Sequence, residues 1–221
     1  MGDNHQIFHH RSNYFLFVMN IFTVFIIAWL PLKWQANLYN GALVVLFIAC
    51  AMVLSHQKEK KYYVAILILI FLSLLSRVLK LELLGAINFF LSVFFYGYVV
   101  IQLIRKVAVA KTVTKHVIVG SINGYLLFGI LLSIVIAIVE KLAPGSFDMA
   151  VKGENNGLYS GFEQYIYYGF VTLTTLGYGD YLPNTPGTRA VSIFMSVSGQ
   201  MYIGIIIALL VGKFSNTKIE E

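Results

Sequence analysis

Between Thr174 and Asp180 the chain reads Thr-Thr-Leu-Gly-Tyr-Gly-Asp, and these residue types suit one chemical task, holding a cation stripped of its water. Backbone carbonyls can replace a hydration shell only if successive carbonyls turn toward a single axis. That requires backbone freedom which glycine has and other residues lack. Gly177 and Gly179 stand at alternate positions. The carbonyls of Thr175, Leu176, Gly177 and Tyr178 could then stack as layers, with the Thr175 hydroxyl adding one more on the inner side. One chain supplies one carbonyl per layer, so a closed shell calls for four copies around an axis, with a heterologous interface closed by cyclic symmetry. Gly-Tyr-Gly alone could equally be a tight turn. The Thr pair before it, Asp180 after it and an apolar helix on either side distinguish this stretch from a chance tripeptide.

The elements that must position this stretch belong to a membrane protein. Of the 221 residues 58% are hydrophobic and 12% charged, and the mean hydropathy is +0.78, far outside the range of a soluble domain. The net charge of +6 comes from basic residues in short runs between apolar segments. Topology explains such runs better than nucleic-acid binding does, and no basic domain remains to bind nucleic acid. Cys50 is the single cysteine and lies in an apolar run, which excludes an intrachain disulfide.

Residues 1–13 read as a short polar cytoplasmic segment; its His5, His9 and His10 are expected to be solvated rather than metal-binding. Apolar runs predict spans over Tyr14 to Leu32, Leu38 to Leu54, Tyr62 to Ser76 and Gly85 to Ile104, a four-helix peripheral domain over 14–104. The third run is short, and Arg77 and Lys80 are expected to snorkel at its end. A cytoplasmic linker over 105–119, amphipathic and interfacial from Val107 to Val119, leads to a pore domain over 120–213. That domain has a fifth span, Gly120 to Val139, and a polar turret, Glu140 to Gly161, with Pro144-Gly145 and Asn155-Asn156-Gly157 turn signals. Phe162 to Thr174 follows as a helix of roughly 20 Å, too short to span a core of about 30 Å and therefore re-entrant. Arg189 to Lys213 is the sixth span, and 214–221 a short cytoplasmic tail with no ligand-binding domain expected after it. With both termini inside, ten of the sixteen Lys and Arg fall in inside segments, as the positive-inside rule requires.

From about Tyr167 to Gly212 the sequence resembles the pore module of tetrameric potassium channels, whose usual filter reads Thr-Val-Gly-Tyr-Gly-Asp; Leu176 replaces the commoner valine. The resemblance extends over roughly the last hundred residues, from Gly120 onward. It implies an all-α membrane protein, with six transmembrane helices plus a re-entrant pore helix and a selectivity-filter loop, assembled as a homotetramer among membrane lipids. Potassium ions would be coordinated by Thr175, Leu176, Gly177, Tyr178 and Gly179, with no organic cofactor. Tyr167 and Tyr168 occupy places where the family commonly has tryptophans. They would brace the filter around Tyr178, with Tyr168 able to bond Asp180; the competing reading is an interfacial aromatic belt. Val171 replaces a glutamate found in some bacterial members. Gly199 matches the family's hinge glycine in the inner helix, although close packing against the pore helix would select glycine equally. Gln200 and Tyr202 are polar-capable, and one of them is expected to face the cavity.

The sequence holds no phosphate loop, paired cysteines or catalytic carboxylate pair, so an enzyme is not expected. Voltage-gated relatives carry arginines at every third position of the fourth helix, whereas Gly85 to Ile104 contains no Lys or Arg. A channel without a working voltage sensor, in a bacterial-type plasma membrane, is the expectation. A nonselective cation channel and a non-conducting accessory subunit are the alternatives.

Overall fold

The computed structural model describes residues 3–54, 82–110, 112–148 and 161–217, with isolated positions between 64 and 75. Helix α1 (Asp3–Ile21) continues through a π-helical turn, Phe22–Ile26, and a 3₁₀ turn, Ile27–Trp29. Pro31 ends it, because the residue before a proline is driven out of the helical region, and Leu30 is extended at ψ 157°. Helix α2 (Leu32–Leu54) starts at once. The Gln35 amide reaches back to donate to the carbonyls of Ala28 and Leu30 at 3.2 and 2.8 Å, serving acceptors that the end of α1 leaves open. The expected third span, 62–76, and the charged pair Arg77 and Lys80 fall largely outside the described residues.

Helix α3 (Glu82–Val109) and helix α4 (Lys115–Leu142) each have 28 residues. The segment expected to be a long amphipathic linker from Val107 to Val119 is thus mostly helical; Thr114, extended at ψ 164°, is the N-cap of α4. Of its valines Val107 is buried at the end of α3, whereas Val109 is exposed. Among the described residues five helices are long and apolar enough to cross a membrane: Arg11–Trp29, Lys33–Leu54, Phe90–Val109, Lys115–Leu142 and Pro186–Lys213.

The core gathers Leu16, Tyr39, Leu46, Leu54, Tyr96, Leu127 and Ile130, all fully buried, from α1 to α4. Phe47 and Tyr96 stack at 4.7 Å, and the Tyr96 hydroxyl donates to the Leu43 carbonyl at 3.0 Å, so the polar tip of a buried ring is satisfied. Between α1 and α4 a polar link crosses the apolar core. Asn123 accepts from Asn20 at 3.3 Å and donates to the Asn13 carbonyl at 2.8 Å. Lysines close one end of the bundle: Lys106 donates to the Val53 carbonyl at 2.7 Å, and Lys213 to the carbonyls of Val107, Ala108 and Ala110. Cations are favoured there by the partial negative charge of helix C-termini.

After α4 the Glu140 carboxylate accepts from the amides of Gly145 and Phe147 at 2.7 and 3.0 Å. Strand β1 (Phe147–Asp148) pairs antiparallel with β2 (Leu182–Pro183), a ladder that local sequence does not announce because its strands lie on either side of helix α5 (Phe162–Leu173). Helix α6 (Pro186–Thr217) begins earlier than the Arg189 expected, because Thr185 and Thr188 exchange side chain–backbone bonds at 3.1 and 3.2 Å and so cap it from both directions.

Candidate functional site: a pore helix and a carbonyl-lined loop

Helix α5 has 12 residues, about 18 Å of rise, and ends inside the molecule. Two small residues let it lie close to α4. A side chain at Gly129 would come within 2.3 Å of the Phe170 ring, and one at Gly169 within 2.4 Å of Ser133 Oγ. Elsewhere on α4, the missing side chain of Gly124 makes room for the Tyr202 hydroxyl of α6 and for Leu103 of α3, whereas nothing lies within 4 Å of a side chain at Gly120.

The chain then turns sharply. The amides of Thr174 and Thr175 donate to the carbonyls of Phe170 and Thr172, at 2.9 and 3.0 Å, and those of Leu176 and Gly177 both donate to Val171, at 3.0 and 3.2 Å. Four successive N–H groups are thereby turned back to the helix end. Thr175, Gly177 and Gly179 have φ of 61°, 55° and 75°. Left-handed backbone at every second residue is the alternation that aligns successive carbonyls. Gly177 and Gly179 adopt it without penalty, whereas Thr175 is strained by about 1–2 kcal/mol. The Thr174 hydroxyl donates back to the Phe170 carbonyl at 2.7 Å, so only the hydroxyl of Thr175 belongs to the strand's inner end.

The bracing differs from the expectation in one respect. Tyr167, not Tyr168, donates to the Asp180 carboxylate, at 2.5 Å. Successive helical residues diverge by about 100°, and the neighbouring Tyr168 points the other way, into a buried position against Phe147 with its hydroxyl 2.5 Å from Ser192 Oγ. The Asp180 carboxylate also accepts the Tyr181 amide at 3.1 Å, and the Tyr167 and Tyr181 rings meet edge to face. The hydrogen bond to Asp180 is the first cause that pushes the Tyr167 hydroxyl up to about 12.

Helix α6 runs behind the loop. A side chain on Gly199 would lie 2.0 Å from the Leu173 carbonyl oxygen, so α6 approaches the end of the pore helix only because Gly199 has none. The helix is continuous through that glycine, which gives it a packing role in this conformation. Gln200 and Tyr202 diverge. Tyr202 is buried and donates to the Ser121 carbonyl at 2.8 Å, while the Gln200 amide reaches Thr175 Oγ1 at 2.9 Å. The expected Pro144-Gly145 turn leads into Ser146, a residue the sequence reading did not single out, which anchors the loop's far end: its carbonyl accepts the Asn184 amide at 2.9 Å and the Thr188 hydroxyl at 3.1 Å.

A family model described as an ion channel matches residues 125–216, which begin within α4 and include the pore helix, the loop and nearly all of α6. The A-type voltage-gated potassium channel KCND3 of Rattus norvegicus, and likewise that of Homo sapiens, is 33% identical to this chain over 92 residues, 42% of this chain and 13% of the relative. The chain therefore spans only 13% of the length of these curated relatives. No solved structure matches it. A short helix, a loop with left-handed backbone at alternate residues and long apolar helices beside them make up the segment that the ion-channel family model matches, in a chain whose apolar helices mark it as membrane-embedded. The C-terminal segment is thus similar to an ion-channel domain and to the corresponding stretch of potassium channels.

Proposed function

We propose that the chain forms a potassium-selective channel that conducts passively, as a fourfold tetramer of six-span subunits. The carbonyls of Thr175, Leu176, Gly177 and Tyr178 and the Thr175 hydroxyl are the coordinating groups. The observation that carries this reading is the left-handed backbone at Thr175, Gly177 and Gly179, together with the amides of 174–177 bonded back to α5. A tetramer is supported by what one chain leaves uncovered. Leu176 and Tyr178 are 55% and 66% exposed, and Ile193, Val197, Met201 and Ile205 form an exposed apolar stripe at four-residue spacing on α6. Non-helical backbone at membrane depth must be enclosed by protein, and three further copies would supply the enclosure. Each pore helix would then direct the partial negative charge of its C-terminus toward a shared cavity.

Both termini are proposed to be cytoplasmic, in a plasma membrane of bacterial type, with the end of the bundle closed by Lys106 and Lys213 on the cytoplasmic side. Reversal potentials of the purified protein in bilayers under bi-ionic conditions test the function. Potassium and rubidium are expected to permeate far better than sodium, and Gly177→Ala to abolish the selective flux. Equal sodium and potassium permeability would make this a nonselective cation channel; absence of any flux would favour an accessory subunit.

A further inference from the structure

Resting on the reading of residues 175–178 as an ion-coordinating strand, we infer that Gln200 is a positioning residue for the innermost cation site. It acts through the hydroxyl of Thr175. Gly199 brings α6 against the Leu173 carbonyl, and the next side chain is thereby carried beneath the loop, where its Nε2 donates to Thr175 Oγ1 at 2.9 Å. The same hydroxyl donates its proton to the Thr174 carbonyl at 2.6 Å.

A threonine hydroxyl has one proton and two lone pairs. Here the proton is committed to Thr174 and one lone pair to Gln200. The hydroxyl is held in one rotamer, with its second lone pair available to a cation on the axis. Without Gln200 the hydroxyl keeps only its bond to the Thr174 carbonyl, and with one partner instead of two its oxygen is held less firmly toward the axis. The alternative of a chance contact is weakened by the partners of the neighbouring polar residues: Ser196 bonds to the Thr172 carbonyl, Ser198 to the Met195 carbonyl and Tyr202 to α4, whereas Gln200 reaches the Thr175 hydroxyl.

Barium applied from the side of the α6 C-terminus reports on this site, because a divalent ion of similar size to potassium is held longest where the oxygens are best ordered. Gln200→Met keeps the length of the side chain and removes the donor. It is expected to weaken barium block about threefold to tenfold, equivalent to about 0.7–1.4 kcal/mol for one hydrogen bond, with the potassium-to-sodium permeability ratio unchanged. Thr175→Ala is expected to weaken block as well. Adding Gln200→Met to Thr175→Ala should then change nothing further, since the two residues act through one oxygen. In Thr175→Ser, which keeps the hydroxyl, Gln200→Met should again weaken block. Should Gln200→Met fail to assemble, Gln200→Asn, too short to reach, takes its place.

Unchanged block in the Gln200 variants, or effects that simply add to that of Thr175→Ala, would overturn the inference while leaving a potassium-selective wild type intact. A conduction-independent measurement separates the remaining case. Barium should raise the thermal midpoint of the purified wild-type protein, because a ligand bound only by the folded form stabilises it, and should raise it less in Gln200→Met. If wild type shows neither selective flux nor stabilisation by barium, the coordinating-strand reading fails and this inference fails with it.

Discussion

At the scale of single residues, Tyr167 and Tyr168 divide two tasks that their adjacency makes look like one. Tyr167 spans from the pore helix to the Asp180 carboxylate. Its hydroxyl, pushed up to about 12, remains a proton donor at any physiological pH. Tyr168 ties the same helix to Ser192 at the start of α6. Tyr167→Phe is therefore expected to shorten the time for which the conducting loop endures during sustained opening, read as faster decay of potassium current. Tyr168→Phe should leave the decay unchanged and lower the thermal midpoint. Unchanged decay in Tyr167→Phe would return that residue to the interfacial belt. Gly199 offers a comparable separation. A methyl there meets the Leu173 carbonyl at 2.0 Å, whereas nothing lies within 4 Å of one at Gly204. Gly199→Ala should cost about 1–3 kcal/mol of stability and Gly204→Ala far less; preserved stability with an altered open probability would identify a hinge instead.

At the scale of elements, the decisive seam is the one between α4 and the pore helix. Lipid tails are as apolar as leucine, so helices in a membrane gain by close approach rather than by escaping water. Gly129 and Gly169 provide that approach by admitting Phe170 and Ser133. Gly129→Ala places a carbon 2.3–2.8 Å from three atoms of the Phe170 ring, so the ring must move, loosening the seam that holds the helix whose last carbonyls anchor the loop. Thermal unfolding of Gly129→Ala should show a loss of about 1–3 kcal/mol, with reduced potassium selectivity in the same protein. Full selectivity with an unchanged midpoint would mean that the pore helix tolerates another position.

For the whole molecule, the peripheral helices are attached to their own pore half in three ways. Asn20 and Asn13 hold Asn123, α3 continues into α4 after a break at 110–114, and Lys213 reaches the end of α3. Such a body is suited to bracing. Moving a charge across the membrane is worth about 2.3 kcal/mol per 100 mV, and α3 has no Lys or Arg before Arg105, so little energy is available to drive it. Open probability should change only weakly between large negative and positive potentials in symmetrical potassium. A steep activation curve that flattens in Arg77→Gln with Lys80→Gln would show that those two charges form a sensor. The related KCND3 proteins are voltage-gated by name; weak dependence here would separate this chain from them in behaviour.

The motif from Thr174 to Asp180 and the apolar runs were legible because they depend on local rules: glycine where φ is positive, and enough apolar length to cross a bilayer. The same rules located the pore helix, Phe162 to Leu173, to within one residue of its observed end. The sequence reading named Tyr168 as the partner of Asp180, and the structure gives Tyr167, because the choice depends on the rotation of α5 about its axis, set by Phe170 against Gly129 and Tyr168 against Phe147. Local rules also could not say which of Gln200 and Tyr202 turns toward the loop, since the packing of α6 against Leu173 decides it. The two-residue ladder and the Ser146 anchor join segments on either side of the pore helix, and only a folded chain brings them together. The linker's division between the end of α3 and the start of α4 was likewise not legible, because composition does not mark where one helix ends and the next begins. Sequence alone determined the chemistry of the strand, through its glycines and its threonine hydroxyl. Tertiary packing decided which side chains orient that chemistry, because orientation is a property of helices against one another.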